Sequence, residues 1–331
     1  MKPIHALLLT LALLFAGTAA AQAGECEEVF TVRPGMQATG TFSWVVHAMD
    51  YFGTAEEYCL ELEPTTYASK QAAELALRAG EADVVVDDII GAVTLRNNGI
   101  PVKAVYPYSK ATGGVVVPVD SEITSIPDLE GKTIAASSLD DKSLLILRAL
   151  TTSEYGFDPQ EDGETLQAAP WLMAGLLESG EIDAGIPYWH FVARMTATGE
   201  FRDLMMVTEM LDQLGMRSDL PILVVVARDG VEDEAVRRFI EALIATTDRM
   251  QNDDGIWQSI LDNELYSLPD PSLFPEVRKR WEAGLPEEWN QEMIDQLVEL
   301  VDRLVEVAGP EVVGVERIDP EAFTTEFAPE G

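Results

Sequence analysis

Leu77-Arg78-Ala79-Gly80-Glu81-Ala82-Asp83 runs into Val84-Val85-Val86, and a hundred residues later Leu177-Glu178-Ser179-Gly180-Glu181-Ile182-Asp183 runs into Ala184-Gly185-Ile186. Each copy reads as a helix end, a glycine stop and a strand. Glycine closes a helix by taking the left-handed conformation that other residues avoid. The unbroken apolar run that follows suits a strand covered on both faces. Such junctions recur in any α/β protein, but two lobes built alike place them at matched positions.

Upstream of the first copy, short apolar runs at 29–32 and 58–62 alternate with helical patterns at 42–51 and 69–79. This is the rhythm of βαβ units on a parallel sheet. Between the copies, 102–106 reads as a strand, and 114–119, after Gly113-Gly114, as a strand that crosses to a second lobe. A return crossing is expected within 215–227, where Pro221 precedes Ile222-Leu223-Val224-Val225-Val226. The expected fold is α/β, two Rossmann-like lobes joined by two crossing strands, with 24–115 and 222–331 in the first lobe and 116–221 in the second. The rest is helical in pattern. In 291–307, Ile294, Leu297, Val298, Val301, Leu304 and Val305 share one face, which is expected to pack on the first lobe.

Acidic residues outnumber basic ones by 58 to 22, for a formal charge of −36 and a pI near 4.2. That excludes a protein that reads nucleic acid through a basic face. With 47% hydrophobic and 24% charged residues, the chain has the apolar content of a globular protein rather than of an acidic disordered tail. Most of the acids are expected to be a hydrated surface suited to a salty medium.

Lys2 precedes an apolar run at 6–15 and small residues ending in Ala21-Gln22-Ala23. This predicts a secretory signal peptide over 1–23, cleaved near Ala21 to Ala23, and a soluble periplasmic protein. The run has about ten residues, where a membrane span needs roughly 20. Glu25 stands before Cys26 where a lipoprotein signal carries a small residue, so no lipid anchor is expected. In an oxidising compartment Cys26 and Cys59 are expected to pair, the alternative being two buried free thiols. If they open neighbouring parallel strands, they meet at one sheet end, and closing a loop of about 34 residues stabilises by roughly 3 to 4 kcal/mol. His47 and His190 have no Cys/His cluster around them, so neither a metal site nor a cofactor is expected.

Three stretches carry a family resemblance. Residues 77–118, LRAGEADVVVDDIIGAVTLRNNGIPVKAVYPYSKATGGVVVP, resemble the first-lobe signature of periplasmic solute-binding proteins of nitrate, sulfonate, taurine and thiamine-precursor ABC importers. Residues 123–150, ITSIPDLEGKTIAASSLDDKSLLILRAL, resemble the linker, strand and helix that begin their second lobe. Residues 176–195, LLESGEIDAGIPYWHFVARM, resemble their strand that carries an aromatic pair into the cleft. The resemblance spans about residues 29–228 and implies a type II periplasmic binding fold that closes on a solute. It agrees with the architecture read from the echo and the crossings.

Ligands of open α/β sheets bind beyond strand carboxyl ends, where loops lead into helix N-termini. After the first strand, Thr39, Thr41 and Ser43 either cap a helix or contact ligand, and Trp44 either walls the cleft or faces the core. After 84–86, one of Asp87 and Asp88 is expected to cap the next helix and leave the other aimed at the cleft. Ser137 and Ser138 follow the strand at 133–136, where the resemblance implies that a polar head is held. Asp140 and Asp141 beside them are expected to be caps that repel an anion. Tyr188 and Trp189 are expected to stack on the solute, while His190 reads as structural. Arg217, near the second crossing, is the one anion partner read nearby. Acids and aromatics thus exceed bases, which favours a solute with a cationic or neutral polar group.

The expected function is a periplasmic receptor that hinges shut on a small molecule and presents it to ABC permease subunits as a monomer, without catalytic residues or membrane insertion. An exported enzyme on the same fold, a sensory receptor and a receptor of another importer class remain as alternatives.

Overall fold

The computed structural model describes residues 26–110 and 113–329; the expected signal peptide lies outside them. The strands are β1 (Phe30–Val32), β2 (Pro34–Gln37), β3 (Leu60–Leu62), β4 (Thr65–Tyr67), β5 (Val84–Asp88), β6 (Val102–Ser109), β7 (Gly114–Pro118), β8 (Thr133–Ala136), β9 (Glu164–Gln167), β10 (Ala184–Ile186), β11 (Phe201–Met206) and β12 (Leu223–Arg228). One five-stranded sheet has the order β4-β2-β5-β12-β6 and the other β9-β8-β10-β7-β11. In each, the first three strands are mutually parallel and the crossing strand, β12 or β7, runs antiparallel in fourth place. The two sheets are therefore the same arrangement made twice.

The sequence echo has a structural basis. Gly80 and Gly180 both take the left-handed conformation, φ 75° and 70°, and donate back to the last helical turn. Three residues on, the Asp83 N–H donates to Arg33 O and the Asp183 N–H to Thr133 O, both at 2.8 Å. The carboxylates answer: Asp83 accepts from the Arg33 N–H at 3.1 Å and Asp183 from the Thr133 N–H at 2.8 Å. An acid just before β5 or β10 thus ties that strand to its parallel neighbour, β2 or β8.

Where the sequence reads a loop after residue 32, the chain makes a second strand, β2. Pro34 opens it, a place where its missing donor is tolerated. A Cβ at Gly35 would lie 3.0 Å from the Ala82 Cβ and 3.1 Å from the Val85 side chain, so the strand carries glycine where a neighbour presses against it. The strands read at 29–32 and 58–62 instead form a separate parallel ribbon, β1 with β3. Its start brings Cys26 and Cys59 together in a disulfide, Cα atoms 5.6 Å apart, with the Phe30 N–H donating to Cys59 O at 2.9 Å.

The helix Gln291–Ala308 corrects an expectation. Its buried face (Met293, Ile294, Leu297, Leu300, Val301, Leu304) lies against the helix Lys142–Leu150 of the middle segment, not on the first lobe. Arg303 donates to Leu214 O at 2.7 Å, and Arg217 reaches Glu292 at 3.4 Å, fastening the same helix. Periodicity defines which face is apolar but not which surface covers it. Among the described residues no helix is long and apolar enough to cross a membrane.

Candidate ligand-binding cleft

A cavity of about 460 Å³, ordinary for a small-molecule site, is lined from the carboxyl ends of β2, β4 and β5 on one side and of β8, β9 and β10 on the other. It collects eight of the residues read from the sequence: Thr39, Thr41, Asp87, Asp88, Ser137, Ser138, Tyr188 and Trp189. Each follows a strand and leads into a helix, so the repeated architecture aims both sets of loops at one space.

The two aspartates divide their roles. Asp88 caps the helix Ile89–Asn97, accepting from the Ile90 and Gly91 N–H groups at 3.0 and 2.8 Å. Asp87 is 2% exposed, and its Oδ1 accepts from the Asp88 N–H and from Lys70 Nζ, both at 2.7 Å. Asp87 Oδ2 is buried without a partner. Gly91 makes the room: a Cβ there would stand 2.4 Å from both Asp87 oxygens. Burial raises the Asp87 carboxyl to about 7 against the pull of Lys70, with Asp88 adding to the rise. Burial acts on Asp88 in the same sense, but Lys142 and Lys70 outweigh it and hold that carboxyl well below its ordinary range.

Lys70 and Lys142 escape the sequence reading. Lys70 Nζ lies 2.5 Å from Asp88 and 3.4 Å from Glu74 as well. Its burial works against the charge, yet Asp87, Asp88 and Glu74 raise its pKa well above the ordinary lysine value. Lys142 Nζ, on the other side of the cleft, donates to Asp140 O at 2.9 Å and lies 3.7 Å from Asp88. Both lysines occupy the first position of a helix, Lys70–Ala79 and Lys142–Leu150, where the helix dipole disfavours a cation. In a chain with seven lysines that misplacement was a readable signal. The cavity lining holds Lys70 and Lys142 beside Asp87, Asp88, Asp140 and Asp141, so acids still exceed bases, but two lysines stand where the sequence reading named Arg217 alone.

Asp141 caps the helix Lys142–Leu150, accepting from the Ser143 and Leu144 N–H groups at 2.9 and 3.4 Å. Burial raises its carboxyl to about 6 despite those bonds. Ser137 Oγ and the ring nitrogens of His190 make no hydrogen bond of normal geometry; the Tyr188 hydroxyl lies toward Ser137 and the Thr39 backbone toward His190. Burial pushes the His190 imidazole down to about 3 against a small opposing pull from Thr39, so it is neutral at ordinary pH.

Two expected residues stay away. Trp44 is 1% exposed, donates from its indole to Leu265 O at 3.2 Å and stacks edge-on to Tyr266 and Trp189 at 5.0 and 5.9 Å in the core behind the cleft. Arg217 is held by Asp219 at 2.7 Å and by Glu288 and Glu292 at 3.6 and 3.4 Å, outside the cavity lining. Conversely, Trp171 lines the cleft and is 61% exposed. It follows β9, a strand the sequence reading passes over, so nothing marked it as a strand-end residue.

Residues 47–254 match the family described as NMT1/THI5 like. The chain belongs to the NMT1/THI5-like family. Solved structures share the fold of this family member. The alkanesulfonate-binding protein SsuA of Xanthomonas axonopodis pv. citri, bound to MOPS, superposes with a TM-score of 0.70 at 15% identity, over 90% of this chain and 99% of that one. The periplasmic aliphatic sulphonate-binding protein SsuA of Escherichia coli gives 0.66 at 17%, over 88% and 91%. The periplasmic nitrate-binding protein NrtA of Synechocystis PCC 6803 gives 0.60 at 12%, over 85% and 86%. Among curated proteins no sequence matches. The family member thus has the type II periplasmic binding fold that its repeated sheets describe.

Proposed function

We propose that this protein is an exported solute receptor that closes its lobes on a small polar molecule and hands it to an ABC permease. One observation carries the reading. Asp87 Oδ2 is buried in the cleft without a hydrogen-bond partner, and Tyr108 OH, Ser137 Oγ and the His190 ring nitrogens make no hydrogen bond of normal geometry, being met only by the Thr41 side chain, the Tyr188 hydroxyl and the Thr39 backbone. Buried polar groups are costly to leave unpaired, and a solute that pairs them recovers that cost. The lobes are 24–115 with 222–331, apart from the helix Gln291–Ala308 that packs on the middle segment, and 116–221. Their closure is a hinge motion biased by contacts made only when both sides meet the ligand.

The preferred solute donates a hydrogen bond to Asp87 Oδ2 from a cationic or neutral group. Lys70 and Lys142, the cations of the cleft, are already satisfied by Asp87 and Asp88, which leaves an anion little to pair with. Binding without turnover fits the surroundings. The Ser259–His47 hydrogen bond, 2.9 Å, joins residues that do not line the cleft, and His190 is surrounded by aromatic rings. A thermal-shift screen of amines, heterocycles, sulfonates and carboxylates tests the reading. A ligand at a hundred times its Kd stabilises by about 2.7 kcal/mol. Stabilisation by sulfonates or nitrate alone would overturn the assignment of Asp87, and hydrolysis or rearrangement of the bound solute would overturn the receptor.

A further inference from the structure

Trp171 follows the edge strand β9 of the second sheet as Lys70 follows the edge strand β4 of the first, and both line the cleft. The matched loops end differently. Lys70 is engaged by Asp87, Asp88 and Glu74, whereas Trp171 is 61% exposed and makes no hydrogen bond or ring contact among the described residues. We propose that Trp171 is a specificity-determining residue of the receptor: its ring is the outer wall of the site and covers a flat or apolar part of the solute whose donor group meets Asp87 Oδ2. The inference rests on the receptor reading and adds the second half of the solute, an apolar face that a small hydrated ion lacks.

Three observations support it. The first is the contrast with the other tryptophans. Trp44, Trp189, Trp257, Trp281 and Trp289 are at most 7% exposed, and each packs against another ring. Trp171 is the one of six whose ring stands in an open space, and that space is the cleft. The second is its support. Its neighbours Pro170 and Met173 are buried, and the proline ring restrains the backbone, so the indole is held out from an anchored turn. Leu172 beside it is 53% exposed and extends the apolar lip. The third is what faces it. At this end of the cleft the first lobe offers Ser69, Lys70 and Gln71, all polar, so a large apolar surface comes from the second lobe. Small-molecule sites combine a few placed polar groups with aromatic walls that cover most of the ligand. An indole supplies such a wall at low conformational cost, because only two torsions place it.

The test uses pairs of probes that share a head group and differ by a ring: methylamine and benzylamine, acetamide and benzamide, acetate and benzoate, methanesulfonate and benzenesulfonate. Each is titrated by calorimetry into wild type, Trp171→Phe and Trp171→Ala, with acrylamide quenching of tryptophan fluorescence read alongside. For the head group that binds, the ring member is expected to bind wild type about tenfold tighter than its methyl counterpart. Trp171→Ala should remove most of that advantage and leave the methyl member nearly unchanged, while Trp171→Phe keeps it. Binding of the ring member should shield the exposed indole from acrylamide in wild type and alter quenching little in Trp171→Ala, whose remaining tryptophans are buried. The melting temperature of Trp171→Ala without probe should match wild type, since a surface substitution changes stability little; this separates a lost contact from a lost fold. Equal affinity of the two members of a bound pair in wild type would overturn the wall while leaving the receptor intact. A ring advantage that survives in Trp171→Ala would overturn it as well. If no member of any pair binds, the receptor reading falls and the wall falls with it.

Discussion

Asp87 combines a free buried oxygen, a lysine and a glycine-made niche, and its chemistry follows from all three. Its native pKa of about 7 stands above the ordinary 3.8, so the folded protein holds a proton that the unfolded chain has lost. The stability this group contributes is full below about pH 4 and is lost as pH rises toward about 7. Asp141, raised to about 6, acts in the same sense over the lower part of that window. Asp88, depressed, acts oppositely, but only below its ordinary range. Melting temperature is therefore expected to decline across this window in wild type. In Asp87→Asn the decline should be smaller and end nearer pH 6; an unchanged pH profile would refute the assignment. The same variant should weaken binding of a donor solute by about 2 kcal/mol, the scale of a hydrogen bond to a charged group, as calorimetry would read. Gly91→Ala places a Cβ 2.4 Å from both Asp87 oxygens. It is expected to cost about 1 to 3 kcal/mol in denaturant melts, as overpacking does, and to remove binding altogether.

Elements fall into place through their ends. Three helices that lead out of the cleft begin beyond a parallel strand with a capping acid or hydroxyl, Ser69, Asp88 and Asp141, whereas Phe42–Phe52 and Trp189–Ala197 carry no side-chain cap. The ribbon of β1 and β3 is short and lies outside the main sheets, so its disulfide matters more than its three paired residues per strand. Cys59→Ser is expected to lower stability by roughly 3 to 4 kcal/mol, and the non-reduced wild-type protein should yield no alkylatable thiol by mass spectrometry. The helix Gln291–Ala308 is held by an apolar face against Lys142–Leu150. Leu297→Ala is expected to cost about 2 to 5 kcal/mol and to speed hydrogen exchange in Lys142–Leu150. Exchange that quickens only in first-lobe helices would contradict this packing.

Over the whole molecule, a formal charge of −36 means that like charges repel across the folded surface. Salt screens that repulsion within about 10 Å at 0.1 M. The melting temperature is accordingly expected to climb with sodium chloride from about 0.01 to 1 M; a flat or falling response would show that specific ion pairs outweigh the net field. The second-lobe helix Trp189–Ala197 is fastened to the C-terminal segment as well, through Arg280 to Thr196 at 3.1 Å and through Tyr266, whose hydroxyl donates to His190 O at 2.6 Å.

The sequence by itself determined the double α/β plan, because helix stops and buried strands are local patterns and the hundred-residue echo repeats them. It also marked the strand-end residues of the cleft, since the fold fixes where strand ends converge, and the disulfide, since two strand starts met in parallel. Tertiary structure alone decided the rest. Which of two adjacent aspartates caps the helix depends on the rotation of the strand end, and the charge balance of the cleft depends on lysines delivered from separate helices. Trp44 and Trp189 carry the same side chain and both follow a strand end, yet the first is sealed in the core and the second lines the cleft. The surface that covers an apolar helix face is likewise a property of distant neighbours, so Gln291–Ala308 found its partner only in three dimensions.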